Sequence, residues 1–306
     1  MQDAVAAVRE AYVGSARGEF SKVPRVGAPS HTLFAMLSER VDSAGARPLG
    51  QSVKVVSYRE ENAAADRPVV QGLVLWFDGA TGSPELALDG AAVTALRTGA
   101  AAGVATDIFA APDARALAVV GTGAAAPDQV RGVCAVRDIS SVVLVGRDRE
   151  KARALALALS AEFPHVAIRS ATDVRDAVAG ADVICTVTTA RTPLFDRDDV
   201  GRRVHVNAMG AFSPAMCEIG PGVVAGARQI CVDDFAALTD CGDLAGPLST
   251  GAVVAADLAF IGDVAGPNGR AVQEGITLFK SIGIAAQDWA IAALTARALE
   301  AEAAHA

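Results

Sequence analysis

A glycine-rich turn follows an apolar run in residues 117–130, LAVVGTGAAAPDQV. Gly121 and Gly123 would let a strand turn sharply into a helix, and Ala126 is small enough for close packing of that helix on the strand. The start of such a helix offers free backbone N–H groups and a positive dipole end to an anion such as a diphosphate. Because glycine is common in any tight turn, the residues also fit a purely structural connection.

A second polar pair follows the next apolar run, SVVLVG, near the spacing at which a dinucleotide fingerprint places its ribose-binding residue. An acid there binds ribose hydroxyls, whereas an arginine pairs with a 2′-phosphate. Arg147 comes directly after Gly146, so we favour NADP(H) as the cofactor, with NAD(H) as the alternative. Asp148 also fits the N-cap of the helix that REKARALALAL predicts, and Arg147 also fits a solvated surface charge.

Three cations precede the glycine turn: Arg25 in KVPRVGAP, Lys54 in SVKVVSY and Arg97 in TALRTGAA. Lys54 interrupts a β-branched run, where a lysine would face the polar side of an alternating strand. Arg97 follows an apolar stretch and fits a charge on a helix surface. On residue types alone, solvated surface charges are the simpler interpretation of this group.

The pattern of apolar residues predicts the elements that must position these side chains. It indicates a helix at about 3–18, strands at 52–58 and 70–77, a turn at DGATGSP, and a long helix or helix pair at 91–110. From 115 to about 235, short apolar runs alternate with helical stretches, which is typical of a parallel, doubly wound sheet. We therefore expect an α/β fold, with a Rossmann-like domain at 112–270 and a second, α+β domain formed by 1–111 and 271–306.

Composition excludes several classes of protein. The 306 residues are 52% hydrophobic, enough for a large core, and the net charge of −8 without a basic run argues against nucleic-acid binding. Five cysteines without a Cys-x-x-Cys spacing suggest neither a disulfide framework nor a zinc or other metal site. The opening MQDAVAAVREAY differs from a signal peptide, and no apolar run approaches the ~20 residues that span a bilayer. We expect a cytoplasmic protein without membrane or nucleic-acid partners.

Several blocks of the sequence, in order along the chain, resemble the ornithine cyclodeaminase/mu-crystallin family. Besides the run around Lys54, they are VQGLVLWFD, DGAAVTALRTGAAAG, VVGTGA, VHVNAMGAFSPAMCEIG, CVDDFAALTDCGDL and TLFKSIGIAAQDWA. The resemblance implies a substrate and dimerisation domain made of both chain ends, a central Rossmann domain, and a homodimer.

The resemblance also implies roles for individual residues. Arg97 and Lys54 would hold the substrate carboxylate, with Arg25 as a third member, and Lys54 would donate a proton. The residues that fall where the family binds its cofactor are Thr98, Gly121, Thr122, Gly123, Ala124, Arg147, Asp148, Thr186, Val187, Thr188, Met209, Gly210, Ser281 and Gly283.

Three positions depart from the family pattern. Phe212 stands where cyclodeaminases carry an aspartate that handles the substrate amine, and a phenyl ring cannot act as a base. The segment GAFSPAMCEIG is instead similar to the corresponding segment of cyclic ketimine reductases, in which Phe212 would line the substrate pocket. Ala125 replaces a usual glutamine and Val69 a usual serine or threonine, which weakens details of the cofactor contacts.

The expected activity is therefore NAD(P)H-dependent reduction of a cyclic ketimine carboxylate, Δ1-pyrroline-2-carboxylate or Δ1-piperideine-2-carboxylate, to proline or pipecolate. Two enzymatic alternatives stay open: an ornithine or lysine cyclodeaminase, and an open-chain imine reductase of the alanine dehydrogenase type. A non-enzymatic alternative is an NADP(H)-binding protein like mu-crystallin in its binding roles.

Overall fold

The computed structural model describes residues 1–21, 23–28, 32–42, 45, 47–65, 67–267, 271–272 and 274–305. The chain divides into two units. The split unit comprises Asp3–Arg97 with Ile284–Ala306, and the central unit comprises Thr98–Gly283 with Met1–Gln2.

Helices and strands are numbered along the chain. The first part contains α1 (Gln2–Ala16), β1 (Val26–Gly27), β2 (Leu33–Val41), β3 (Pro48–Tyr58), β4 (Val70–Phe77), β5 (Pro84–Asp89) and α2 (Gly90–Phe109). The remainder contains β6 (Ala116–Val120), α3 (Ala126–Cys134), β7 (Ser141–Val145), α4 (Arg149–Glu162), β8 (Ala167–Ala171), α5 (Val174–Val178), β9 (Val183–Thr186), β10 (Val204–Ala208), α6 (Pro221–Ala225), β11 (Ala227–Val232), α7 (Ala237–Asp240), α8 (Gly242–Ser249), β12 (Leu258–Phe260), α9 (Ile261–Ala265), β13 (Ile276–Lys280) and α10 (Ala285–Ala304). Short 3-10 helices lie at Glu60–Ala65, Arg197–Asp199 and Ala255–Asp257. Among the described residues, no helix combines the length and apolarity needed to cross a membrane.

The split unit is built on an antiparallel sheet in the order β1-β2-β3-β4-β5, with α10 packed against it. The indole N–H of Trp289 on α10 donates to the carbonyl of Gly50 at 2.9 Å. Its ring also meets Trp76 of β4 edge-on, with 5.5 Å between ring centroids. Both indoles are 5% exposed, and burial of such large apolar rings between helix and sheet stabilises this layer.

Strand β3 reverses the usual arrangement of polar and apolar side chains. Ser52 and Lys54, on one face, are 3% and 2% exposed, whereas Val55, on the other, is 40% exposed. Val55 pairs with Ala35 on one side and Leu73 on the other, so these residues share the open face. The interpretation of Lys54 as a solvated charge on a polar face is therefore wrong.

The central unit contains a parallel sheet in the order β12-β11-β13-β10-β9-β6-β7-β8. The chain runs outward from β6 through β7 to β8, then returns to β9 and continues to β10, so the strand order reverses between β6 and β9. Such a reversal defines a doubly wound sheet and the edge at which nucleotides bind. The predicted α/β class with a Rossmann-like sheet is confirmed.

The expected domain boundaries lay between residues 111 and 112 and between residues 270 and 271. In the structure, the central unit instead begins at Thr98 and ends at Gly283. Two contacts explain the first shift: Asn207 of β10 donates to the Thr106 hydroxyl of α2 at 3.0 Å, and Phe109 stacks on His205. The second half of α2 thus packs on the sheet. At the other end, TLFK forms β13 between β10 and β11, although its apolar run gave no sign of which sheet it joins.

Candidate functional site

The predicted carboxylate-binding cations Lys54 and Arg97 lie together in the split unit, beside a buried carboxylate. The Lys54 ammonium donates to Asp288 Oδ1 at 2.8 Å, and Arg97 Nε lies 3.7 Å from the same oxygen. Lys54 comes from the inner face of β3, Arg97 from α2 and Asp288 from the first turn of α10. Three elements far apart in the chain therefore converge on one charged cluster.

A glutamine and a tyrosine hold the arginine of this cluster in place. Arg97 Nη1 donates to Gln287 Oε1 at 2.6 Å, and the Gln287 amide donates to the hydroxyl of Tyr12 on α1. Arg97 Nε is buried and has no hydrogen-bond partner among the described residues. An unsatisfied buried donor costs about 1–3 kcal/mol, so this N–H is suited to donate a hydrogen bond to an incoming anion.

The environment of Lys54 suits proton transfer near neutral pH. Burial is the largest influence and lowers the pKa of Lys54 to about 8, and the charges of Arg97 and Arg25 act in the same direction. The Asp288 carboxylate opposes them through its charge and its hydrogen bond. The ammonium is therefore mostly charged at pH 7 yet close enough to its pKa to give up a proton.

Arg25 and Phe212, the two other residues expected at the substrate, belong to different units of the chain. Arg25 is exposed, and its guanidinium lies 6.0 Å from the centroid of the Phe34 ring while still acting on the charge of Lys54. Phe212 is half-buried in the segment after β10, within the central unit. Its role as a pocket wall stays a prediction.

The glycine turn between β6 and α3 is tight and partly exposed. Gly121 has a φ of +117°, and a Cβ there would lie 2.6 Å from the Val187 carbonyl, so only glycine fits. Gly123 is exposed, with no atom within 4 Å of an added Cβ, and Ala124 is exposed beside it. Thr122 is half-buried and lies against Gly146. The turn thus leaves its outer side open to a ligand.

Helix α3 begins directly after this turn without a capping side chain. Its N-cap is Ala125, which forms no side-chain hydrogen bond, and Pro127 occupies the first turn. Proline is tolerated there because its missing N–H has no intrahelical partner in any case. The Ala126 N–H donates to the Gly123 carbonyl, so the exposed turn and the positive end of the helix dipole are what would face a diphosphate, and the residues present fit a dinucleotide.

Arg147 and Asp148, which follow β7, have different surroundings. Asp148 is the N-cap of α4, and its carboxylate accepts from the Lys151 N–H at 3.0 Å. Arg147 is exposed at the end of the strand. Since Asp148 serves the helix, Arg147 is the side chain of this pair that is available to a nucleotide.

A buried glutamate that sequence reasoning missed fixes two of the segments expected at the cofactor. Glu218 accepts hydrogen bonds from the Thr186 hydroxyl, from the hydroxyl and N–H of Thr188, and from the N–H groups of Gly210 and Ala211, at 2.6–3.1 Å. Burial raises the pKa of the Glu218 carboxyl, and the Lys280 charge and these hydrogen bonds oppose that rise. Glu218 therefore ties together the ends of β9 and β10.

Asp233 and Asp243 likewise fix neighbouring segments by accepting hydrogen bonds inside the protein. Asp233 accepts from the Ser281 hydroxyl at 2.6 Å and from the Gly283 N–H at 2.9 Å. Asp243 accepts from the Glu218 N–H at 2.6 Å and from the Lys280 ammonium at 2.9 Å, both inside the protein. Ser281 and Thr186 are thus buried and bonded to internal carboxylates, while Val187 is half-buried and Met209 and Thr98 are buried.

The missed residues share one signal in the sequence. Asp288, Glu218, Asp233 and Lys280 are charged residues inside apolar runs, in AAQDWA, MCEIG, CVDDF and TLFKSI. A charge that must be buried needs a partner, so each predicts an internal ion pair or hydrogen-bond network. The identity of each partner depends on the tertiary fold.

Comparison with known proteins gives one consistent result. The sequence profile of the ornithine cyclodeaminase/mu-crystallin family matches residues 1–302. The chain is 36% identical over 293 residues to a Δ1-pyrroline-2-carboxylate reductase of Bacillus cereus, a match that covers 92% of this chain and 89% of the relative.

Two solved structures share the fold throughout. The Δ1-pyrroline-2-carboxylate reductase of Thermococcus litoralis, in complex with NADH and L-proline, matches with a TM-score of 0.87 and 27% identity, over 98% of this chain and 93% of that one. An archaeal alanine dehydrogenase dimer with bound NAD matches with a TM-score of 0.86 and 28% identity, over 98% and 92%.

Proposed function

We propose that this chain, which belongs to the ornithine cyclodeaminase/mu-crystallin family, reduces Δ1-pyrroline-2-carboxylate or Δ1-piperideine-2-carboxylate to proline or pipecolate. The family comprises NAD(P)H-dependent ketimine reductases and cyclodeaminases, and this chain is an oxidoreductase acting on C=N and CH–NH bonds. The observation that supports the finer assignment is the meeting of buried Lys54 with half-buried Arg97, whose Nε–H has no hydrogen-bond partner among the described residues.

Binding of the substrate carboxylate is the first task of this pair. Lys54, Arg97 and Arg25 bring three positive charges against the single carboxylate of Asp288, so the cluster keeps an excess of positive charge for an anion. Arg97 Nε, which has no hydrogen-bond partner among the described residues, would donate to a carboxylate oxygen, and such charge-assisted hydrogen bonds are short and strong. The carboxylate would thereby be held in one orientation.

Proton delivery is the second task. When bound, the nicotinamide supplies the hydride that reduces the imine carbon, and the ring nitrogen needs a proton to complete the amine. The Lys54 ammonium, with its pKa lowered to about 8, would donate that proton directly or through a water. Phe212 would offer an apolar wall to the ring methylenes.

For the cofactor, we propose NADP(H) over NAD(H). Asp148 caps α4, and Arg147 is exposed at the position where a guanidinium would pair with a 2′-phosphate. The relatives with bound cofactor contain NADH or NAD, so this preference rests on Arg147 in this chain.

Replacing Arg147 by alanine tests the preference. Loss of a charged hydrogen bond to phosphate is expected to weaken NADPH binding by roughly 1.5–3 kcal/mol and leave NADH binding unchanged. Fluorescence titration of both cofactors gives the two constants. Arg169→Ala, which removes another exposed arginine on β8, is the matched control. An unchanged NADPH constant in Arg147→Ala would remove Arg147 from the cofactor site.

The activity itself is tested by a paired assay. NADPH oxidation is followed at 340 nm, the wavelength of the reduced nicotinamide, with Δ1-pyrroline-2-carboxylate, Δ1-piperideine-2-carboxylate and pyruvate with ammonia. In parallel, ammonia release from ornithine or lysine is measured with NAD⁺. We expect rapid NADPH oxidation with a cyclic ketimine. Ammonia release without net NADPH oxidation would identify a cyclodeaminase, and a preference for pyruvate with ammonia an open-chain reductase.

Absence of turnover with every imine, together with tight NADPH binding, would indicate a nucleotide-binding protein instead. The cyclodeaminase alternative is weakened because Phe212 cannot act as the base that an aspartate supplies. The open-chain alternative is supported by the similarity to the archaeal alanine dehydrogenase. The paired assay distinguishes all of these outcomes.

We further propose that the protein is a homodimer that uses the open face of the split-unit sheet. Leu33, Leu37, Val55 and Leu73 share this face and are 40–53% exposed. A contiguous apolar patch on a sheet is typical of a surface that another chain covers. The archaeal alanine dehydrogenase to which this chain is similar is a dimer.

Leu73→Glu is expected to convert the dimer to a monomer, because it places a charge within an apolar interface. Size-exclusion chromatography with light scattering measures the change. Leu157→Glu, at an isolated leucine of α4 that is 75% exposed, should leave the mass unchanged. A parent protein that is already monomeric, or a Leu73→Glu variant that stays dimeric, would contradict this interface.

A further inference from the structure

Asp288 is the one acidic side chain that the described structure shows in contact with Lys54 and Arg97. Its Oδ1 accepts from the Lys54 ammonium at 2.8 Å and lies 3.7 Å from Arg97 Nε. Its Oδ2 is buried and has no hydrogen-bond partner among the described residues. The carboxylate thus contacts both cations of the proposed anion site through one oxygen.

The start of a helix provides a second favourable electrostatic contact for the Asp288 carboxylate. Asp288 is 1% exposed, but it lies in the first turn of α10, where the helix dipole favours negative charge. The preceding residue, Gln287, binds Arg97. Two consecutive side chains of one helical turn therefore each hold one of the two cations.

Without this carboxylate, the ammonium of Lys54 would be a buried cation beside two more cations. A buried lysine in that position tends to lose its proton, since neither water nor a counterion stabilises the charge. The groups that act on Lys54 are Asp288 on α10, Arg97 on α2 and Arg25 before β1. Of these, only Asp288 favours the charged form.

We infer that Asp288 is a positioning residue, which holds the Lys54 ammonium in place and keeps it charged until a substrate carboxylate arrives. The inference rests on the proposed anion-binding role of Lys54, and it assigns a function to a residue outside the predicted site. It also explains why a lysine can serve as proton donor next to two arginines. Asp288 itself acts through Lys54.

The test is the pH dependence of carboxylate binding by the full-length protein. Pyrrole-2-carboxylate, whose own charge stays fixed between pH 6 and 10 to a first approximation, is titrated by calorimetry in the presence of saturating NADPH. In the parent, affinity should fall as the pH rises through about 8, where Lys54 loses its proton. In Asp288→Asn, this fall should move to lower pH by about 1–3 units, because an opposite charge at hydrogen-bond distance is lost.

Two controls separate positioning from general damage. Asp257→Asn, at an exposed aspartate, should keep the parent profile. Asp288→Glu, which restores the charge, should return the fall in affinity towards the parent pH. A merely structural aspartate would lower affinity equally at all pH values and leave the midpoint in place, which would overturn the inference.

A double variant covers the case in which Asp288→Asn does not fold. Lys54→Met with Asp288→Asn removes both buried charges, which is less disruptive than removing one partner. If Asp288 acts through Lys54, this pair should bind pyrrole-2-carboxylate no more weakly than Lys54→Met alone, because the carboxylate beside Arg97 is also gone, and without a step near pH 8. A further loss of about tenfold or more would show that Asp288 contacts the ligand independently, contrary to the inference.

The readout needs no turnover, so it distinguishes the two proposals. Binding with the expected pH shifts but no ketimine reduction would refute the proposed function and support the role of Asp288. If the parent does not bind pyrrole-2-carboxylate at any pH, the anion site itself is refuted, and the inference with it.

Discussion

Replacing Lys54 by methionine is expected to lower kcat for ketimine reduction by about 10²- to 10⁴-fold, the usual contribution of a positioned proton donor. Methionine preserves the length of the buried stem, so the change is confined to the ammonium and its hydrogen bond with Asp288. KM should also rise, since one of the charges that would hold the carboxylate is lost.

Steady-state kinetics with Δ1-pyrroline-2-carboxylate, together with NADPH titration, measure both effects. NADPH affinity should stay close to that of the parent, because the glycine turn and Arg147 are unaltered. Thermal unfolding of the variant checks that Asp288, left beside Arg97, has not disrupted the split unit. If kcat remained near the parent value, Lys54 could not be the proton donor, and a bound water would have to supply the proton.

Replacing Gly132 by alanine is expected to destabilise the central unit by about 1–3 kcal/mol and to weaken NADPH binding as well. Helices α2 and α3 cross at backbone contact: a Cβ on Gly132 would lie 2.0 Å from the Gly99 carbonyl, and a Cβ on Gly99 would lie 2.1 Å from the Asp128 carbonyl. Neither neighbour is a flexible side chain, so the helices must separate. Because α3 begins at the glycine turn, its displacement moves the N–H groups that would bind the diphosphate.

Urea unfolding and NADPH titration measure the two consequences. Gly180→Ala is the control, because Gly180 is exposed, lies away from this helix contact, and an added Cβ there meets no atom within 4 Å. It should change the free energy of unfolding by less than about 0.5 kcal/mol. Equal stability of Gly132→Ala and the parent would mean that the two helices have room to move apart.

The sequence was sufficient for the parts of the fold that depend on local pattern. Strand 70–77 coincides with β4, and the alternation from 115 onward correctly predicted a doubly wound sheet. The expected helix or helix pair at 91–110 is one continuous helix, Gly90–Phe109. Strand β2 and the sheet to which β13 belongs were not predicted, because short apolar runs carry no information about their neighbours.

The site was predictable only in part for a related reason. Lys54, Arg97 and the glycine turn were identified from resemblance and motif, and the structure brings Lys54 and Arg97 to one carboxylate. Asp288 and Glu218 were missed because their partners are distant in the chain and their roles arise from burial. At Lys54 the local pattern favoured a solvated side chain, whereas β3 carries Lys54 and Ser52 on its buried face.

The burial of polar side chains on the inner face of β3 affects how the chain reaches its native state. A slip of β3 by one residue would place Val55 beneath α10 and Lys54 in water, which suits the solvation of each side chain better than the native register does. The hydrogen bonds from Lys54 to Asp288 and from Trp289 to Gly50 oppose the slip. Asp288 follows Lys54 by 234 residues, so at the usual pace of translation α10 emerges roughly 10–50 s after β3. During that interval the nascent sheet lacks the helix that selects its register, and errors in strand pairing are most readily made then.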